Sequence, residues 1–176
     1  MIRLAVPEDI PAVSAIYSRI HDREEAGLAT IGWVRSIYPT EATARSALAA
    51  GDLFVREEAG RILASARINS VQVPEYALAD WLYEAPEEHV MVLHTLCVDP
   101  LHAGKGVGKD FVAFYERYAL RKGCRNLRLD TNERNTAARR LYRALGYREA
   151  GIVPCRFNGI PGVRLVCLDK YLSPEE

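Results

Sequence analysis

The sequence predicts an α/β fold, a single domain over residues 1–176 with a mixed central sheet flanked by helices. Three observations carry this. Apolar runs of strand length alternate with longer stripes at helical spacing. The run 90–98, a stripe from Val107 and the run 127–130 form a strand–helix–strand unit, which requires parallel pairing and a right-handed crossover. Two further strand pairs close around Ala59-Gly60 and Asn158-Gly159, the turn chemistry of antiparallel hairpins.

Residues 2–5 read as a first strand. Pro7 suits a helix start, and Ile10, Val13, Ile16, Tyr17 and Ile20 form the stripe behind it. Residues 21–38 fit no period and are broken by Gly27 and Gly32. A second helix is expected over 40–50, capped by Thr40 and stopped by Gly51. Strands at 53–57 and 62–69 flank the first turn. Residues 71–89, with Pro74, Pro86 and several aromatics, read as an irregular excursion. After the strand 90–98, Val107, Phe111, Phe114, Tyr115 and Tyr118 share a helical face that ends at Gly123. Asn135 caps a further helix with a stripe of Ala138, Leu141, Tyr142 and Leu145. Strands at 147–157 and 163–170 close the chain.

Hydrophobic content of 49% and charged content of 26% over 176 residues suit a globular domain with a sizeable core. No apolar run nears the roughly 20 residues that cross a bilayer, and the first seven residues are interrupted too soon for a signal peptide. Cys97, Cys124, Cys155 and Cys167 include no C-x-x-C pair, so neither a zinc ribbon nor a redox motif is indicated. They read as reduced core cysteines of a cytoplasmic protein that binds no metal. Net charge is zero but unevenly spread. Residues 68–104 hold no Lys or Arg, whereas residues 105–148 hold twelve basic residues against four acidic ones. That half suits a ligand with several phosphate charges, or is simply a solvated helix surface. No groove-reading motif accompanies it, so nucleic acid is not an expected partner.

The segment Ala103-Gly104-Lys105-Gly106-Val107-Gly108-Lys109 follows an apolar strand and opens a helix. Glycines there let backbone approach a ligand, and a helix start aims free N–H groups and a positive dipole end at the same spot, a geometry that holds phosphate. The Walker A pattern fails at both ends, with Ala103 for its first glycine and Asp110 for its hydroxyl residue. The dinucleotide fingerprint fails at Lys109.

The loop resembles the acetyl-CoA signature Gln/Arg-x-x-Gly-x-Gly/Ala of the GCN5-related N-acetyltransferase (GNAT) family, mapped onto residues 103–108. Ala103 departs from it. A second block, Asn135-Thr136-Ala137-Ala138-Arg139-Arg140-Leu141-Tyr142 with Gly146 and Tyr147, is similar to that family's N-x-x-A-x-x-L-Y-x-x-x-G-F/Y segment. The likeness is sharp over 93–146 and loose before it.

The resemblance implies a GNAT-like fold and an acyl-CoA-dependent N-acyltransferase, with acetyl-CoA as acyl donor and a small-molecule or peptide amine as acceptor. It implies that backbone N–H groups of residues 103–109 cradle the pyrophosphate, and that the backbone of Leu96, Cys97 and Val98 pairs with the pantetheine arm. The N–H of Val98 would polarise the thioester carbonyl. Asn135 and Ala138 fall in the cofactor-contacting segment, where Asn135 also reads as a plain helix cap. Tyr142 matches the family's general acid, and otherwise reads as a half-buried aromatic. His94 resembles the histidine some members use as base, and equally reads as a satisfied core histidine. A period of two puts Val92, His94, Leu96 and Val98 on one face and Cys97 on the other. Glu84, Glu88 and His89 could act as bases through water. The family builds its acceptor pocket where Trp33, Tyr38, Tyr76, Trp81 and Tyr83 lie, and the acids between Glu75 and Glu88 suit a cationic amine. Many members form homodimers through the C-terminal strands. The rival class is a non-catalytic acyl-CoA-binding or sensing module with the same fold.

Overall fold

The structure, a computed structural model, describes residues 1–173. Strands β1 (Ile2–Leu4), β2 (Leu53–Glu58), β3 (Arg61–Asn69), β4 (Val90–Val98), β5 (Asn126–Asn132), β6 (Arg148–Phe157) and β7 (Ile160–Tyr171) form one sheet in the order β1-β2-β3-β4-β5-β7-β6. Helices α1 (Ile10–Glu25), α2 (Glu41–Ala49), α3 (Val107–Arg121) and α4 (Thr136–Ala144) cover its faces. Among the described residues only the β4–β5 pair is parallel, joined through α3 as the strand–helix–strand pattern requires. Both hairpin turns form where the sequence places them. Ala59-Gly60 and Asn158-Gly159 are each a pair of left-handed residues, with φ of 49° and 73°, and of 49° and 81°. That conformation matches the twist of the strands it joins.

The helical stripes bury as their spacing dictates. Ile10, Val13, Ile16, Tyr17 and Ile20 of α1 pack with Ala44 and Ala47 of α2 against one face of the sheet. Val107, Phe111 and Tyr115 of α3 lie on the opposite face, against Met91, Leu93, Leu127 and Leu129. The excursion at 71–89 covers the part of the first face that α1 and α2 leave bare. Tyr76 packs there with Val90, Val92, Val153, Leu165 and Cys167. Residues 26–38, unassigned by periodicity, run irregularly after α1, with one bridge from Val34 to Tyr38.

Strand β4 departs from ideal alternation in one place. Ser65 pairs with Cys97, yet Arg67 pairs with His94, so two β4 residues oppose a single β3 residue. Thr95 absorbs the surplus at φ 53°, in the left-handed region. The Tyr38 hydroxyl holds that spot by hydrogen bonding to the Thr95 hydroxyl. A bulge bends its strand and sharpens the twist. Pairing between β4 and β5 accordingly stops at Leu93–Leu129, although β5 stays paired with β7 out to Asn132. Past that point the two strands diverge. This bulge also reverses the parity of the strand: Leu96 and Val98 pack with the α3 face, while Cys97 packs with α1, contrary to an unbroken period of two.

The apex of the divergence is tied from below. The Tyr115 hydroxyl, fully buried, donates to the Met91 carbonyl at 2.6 Å and lies 3.1 Å from the Arg128 carbonyl. It thus bridges β4 and β5 within their four registered pairs, just before the pairing ends at Leu93–Leu129. Tyr115→Phe is expected to lower unfolding free energy by about 1–2 kcal/mol, because it strands buried acceptors while keeping the ring. Urea titration checks this, with the midpoint lowered and the slope unchanged.

Candidate active site

The divergence of β4 and β5 opens a cleft of about 700 Å³. Its walls include Thr95, Leu96, Cys97 and Val98 of β4, Asp130, Thr131 and Asn132 of β5, the loop into α3, and the first turns of α4. The last residues of β4 thus face a gap instead of a neighbouring strand. An extended chain inserted there would meet main-chain edges, as a strand does.

At one end of the cleft lies the glycine loop. Gly104 and Gly106 sit at φ 75° and 78°, and Gly106 precedes the first residue of α3. Among the described residues, the six amides from Gly104 to Lys109 donate to no main-chain carbonyl. A methyl group built on Gly104 or Gly106 meets nothing within 4 Å, so the loop encloses open space. Gly108 is closer packed, with Leu141 and Val98 at 3.4 and 3.6 Å from such a methyl. Six free donors at the positive end of a helix of fifteen residues favour an anion. Asp110 in the first turn would oppose one, but Arg56 pairs with it. Acetyl-CoA fits these residues: a diphosphate in the cradle and a pantetheine arm between the strands.

The loop is anchored from α1. Arg19 forms a two-point bond with Asp99, at 2.9 and 2.7 Å, just after β4 ends. Burial pushes the Asp99 carboxyl up, but Arg19 and the Leu101 amide outweigh it and hold the group below the usual carboxylate range. Further along α1, Glu24 accepts hydrogen bonds from the amides of Ile31 and Gly32 at 2.7 and 2.9 Å. That pins residues 28–33 along the wall of the cleft.

Tyr142 is buried on α4 and lines the cleft. Burial, then the nearby Asp130 and Cys97, push its phenol well above the usual tyrosine range, so it stays protonated at neutral pH. Asn135 caps α4, its Oδ1 accepting from the Ala138 amide at 3.2 Å, and both residues line the cleft.

The bulge separates His94 from this group. His94 does not line the cleft; it lines a side pocket of about 170 Å³ with Tyr17, Tyr38, Arg67 and Asn69. Its Nε2 is 3.0 Å from Asn69 Oδ1. Burial, reinforced by Arg67, lowers it to about 4, which leaves it neutral and a weak base near pH 7. The expectation that His94 shares a face with Leu96 and Val98 is corrected by the surplus residue at Thr95.

Periodicity draws no attention to Asp130. It is the first β5 residue beyond the parallel pairing and lines both the cleft and the side pocket. Tyr76 donates to its Oδ2 at 2.7 Å. Burial raises this carboxyl to about 6, against the pull of the Tyr76 hydrogen bond and with a push from Glu75. A carboxylate at the C-terminal end of a parallel strand, five residues before a helix cap, was the available signal.

Of the expected acceptor-pocket aromatics, Trp33 and Tyr38 line the cleft. Tyr76 stands behind Asp130, Trp81 packs on Tyr76 at 5.0 Å, and Tyr83 packs on Tyr171 at 4.8 Å. None of residues 75–88, acids included, lines either cavity, because the excursion lies along the outer strands, with the Asp80 amide on the Ala150 carbonyl. The tip of the β6–β7 hairpin reaches the cavities instead, through Phe157 and Asn158.

Comparison with known proteins agrees with this architecture. The chain resembles a chain from Salmonella typhimurium solved with acetyl-CoA as its cofactor, with 20% identity and a TM-score of 0.67 over 100% of this chain and 95% of that one. It is 31% identical over 70 residues to the aminoglycoside N(6')-acetyltransferase type 1 of Salmonella typhimurium, a stretch covering 40% of this chain and 48% of the relative. It is 35% identical over 72 residues to the streptothricin acetyltransferase of Escherichia coli, covering 41% and 38%. The matched stretch thus spans about half or less of these relatives' length. Residues 17–147, which carry the cradle, the diverging strands and Tyr142, match the model of the Acetyltransferase (GNAT) family, and the chain belongs to that family.

Proposed function

We propose that this chain is an acyl-CoA-dependent N-acetyltransferase that moves an acetyl group from acetyl-CoA to a primary amine by direct attack. The observation that carries this is a single cleft joining three things: free amides at a helix start, two unzipped strand ends, and a protonated phenol. Bound there, acetyl-CoA supplies an activated acetyl thioester. The loop amides of residues 104–109 hold its diphosphate, whereas the expected Ala103 amide is taken by the Pro100 carbonyl, and the β4 edge at Leu96, Cys97 and Val98 aligns the arm. The Val98 N–H would draw charge from the thioester carbonyl as the carbon becomes tetrahedral. Tyr142 gives its proton to the departing sulfur, and Asn135 fixes the helix that presents it.

The acceptor is a small molecule or peptide bearing a primary amine. Enzymes acting on aminoglycosides and streptothricin among the relatives support the small-molecule arm. The amides and the phenol supply polarisation and the proton, so the chemistry calls for no metal. Four unpaired cysteines, three of them buried, suit a reducing cytoplasm. A second copy would add at β6, the open edge of the sheet beside the C-terminal strand.

Purified protein mixed with acetyl-CoA and an amine panel tests the reading by release of free thiol. An aminoglycoside, streptothricin, spermidine and an alanine-starting peptide make a suitable panel. Thiol release is expected with at least one amine, and none with any would overturn the proposal. Tyr142→Phe is expected to lower kcat by about 100-fold while leaving the acetyl-CoA Kd within about threefold. Gly106→Val puts a side chain into the cradle at a strained φ, and calorimetry is expected to show acetyl-CoA binding weakened by about tenfold or more.

A further inference from the structure

The acetyl-transfer reading leaves open what the acceptor carries besides its amine. We propose that the side pocket is a second acceptor subsite, made for an anionic group. Arg67 binds a carboxylate there, and the acceptor is an amino acid or a similar small amine with a carboxylate a few bonds from its nitrogen. The inference rests on the function proposed above.

The pocket adjoins the cleft, and Tyr38, Thr95, Asp130, Phe157 and Asn158 line both. A group carried by a molecule in the cleft would enter the pocket past these residues. Among the described residues Arg67 is the only Lys or Arg that lines the pocket, and it does not line the cleft. It sits on β3 opposite His94, beside the bulge. Its partner Asp52 does not line the pocket, so the lining carries the charge of the cation without that of its counter-ion. The pair is also unsaturated. Arg67 reaches a single Asp52 oxygen, Oδ2, with Nε at 3.3 Å and Nη2 at 3.1 Å. Asn69 Nδ2 donates to that same oxygen at 2.8 Å. Arg19, by contrast, meets both oxygens of Asp99 at 2.9 and 2.7 Å. Among the described residues nothing accepts from Arg67 Nη1. A guanidinium is a planar fork of N–H donors that matches the two oxygens of a carboxylate, and most of this fork is left over.

The field agrees with the geometry. Burial does most to lower the His94 imidazole, and there the charge of Arg67 outweighs the opposite pull of Asp52. His94 is thereby neutral and adds no competing charge. The Asn158 side chain makes no hydrogen bond among the described residues, so its amide is a spare donor on the same lining. The one acid on that lining is Asp130, which the pocket shares with the cleft. Burial dominates at the Tyr38 phenol, which also feels Asp130 pushing up and Arg67 pushing down, so both charges reach the junction of the two cavities. Negative lining at the junction and positive lining in the side pocket alone match an ammonium and a carboxylate on one small molecule. An amine without an anionic group leaves Arg67 unmatched.

Amines that differ only by a carboxylate test this. L-leucine with isoamylamine, L-phenylalanine with phenethylamine, and β-alanine with ethylamine form matched pairs, and release of free thiol gives kcat/KM for each. The wild type is expected to prefer the carboxylate-bearing member of at least one pair by about 30-fold or more. Arg67→Leu should cut that preference by about tenfold or more, through KM and with kcat held within about threefold, as loss of a binding contact requires. Acetyl-CoA should bind this variant within about twofold of wild type by calorimetry. Asp52→Asn separates recognition from structure. It breaks the existing ion pair but keeps the guanidinium, so the preference should stay or rise, whereas a merely structural Arg67 would make the two variants alike. No carboxylate preference in any pair, a preference intact in Arg67→Leu, or an equal loss in Asp52→Asn would overturn the proposal. Should Arg67→Leu not fold, the wild-type preference and Asp52→Asn decide. Amines acetylated without regard to a carboxylate would remove this subsite and leave acetyl transfer standing. No thiol from any amine, here or in the earlier panel, would remove both.

Discussion

Thr95 occupies a backbone conformation that β-branched residues disfavour, and the cleft depends on it. β4 and β5 pair only as far as Leu93–Leu129, and the surplus residue lies just beyond; there the strands part, and Leu96, Cys97 and Val98 line the cleft while Cys97 and Val98 stay registered with β3. The strained residue is held from outside by the Tyr38 hydroxyl, and the apex below is closed by Tyr115. A parallel pair is thereby kept intact over four registered positions and opened beyond them. The sheet survives because β3 and β7 continue to hold the outer edges of the two parting strands.

The cleft carries groups of opposite electrostatic preference. At the loop, free amides and a helix dipole favour negative charge, and Arg56 pairs with Asp110. Asp130 lines the same cleft, and no Arg or Lys among the described residues pairs with it. Tyr142 sits where burial keeps its proton on.

Much of this was legible in the letters, and the exceptions have physical causes. The helices, both hairpin turns and the parallel unit follow from periodicity and turn chemistry, which are local. The glycine loop and Tyr142 were singled out by the resemblance of two short blocks to GNAT segments, and both line the cleft. What failed was parity through β4. A threonine in the left-handed region carries no sequence signature, so His94 was placed on the wrong side of a strand otherwise bounded correctly. Asp130 was hidden for a related reason: its apolar neighbours Leu127 and Leu129 make it read as the solvent side of a strand, whereas the excursion at 71–89 covers that side. The same burial turns Tyr76 from an expected pocket wall into a support for that carboxylate, and leaves the acidic loop away from both cavities.

Helix α1 reaches both halves of the channel. Arg19 grips the turn that leads into the glycine loop, and Glu24, little more than one helical turn later, grips the segment at residues 31 and 32 that walls the cleft. The helix is a stiff rod with both handles in its C-terminal half, seated on a close-packed apolar face. One rigid helix therefore holds in place both the turn before the glycine loop and the segment that walls the cleft, so the spacing between these two irregular stretches is set by helical geometry instead of by the stretches themselves.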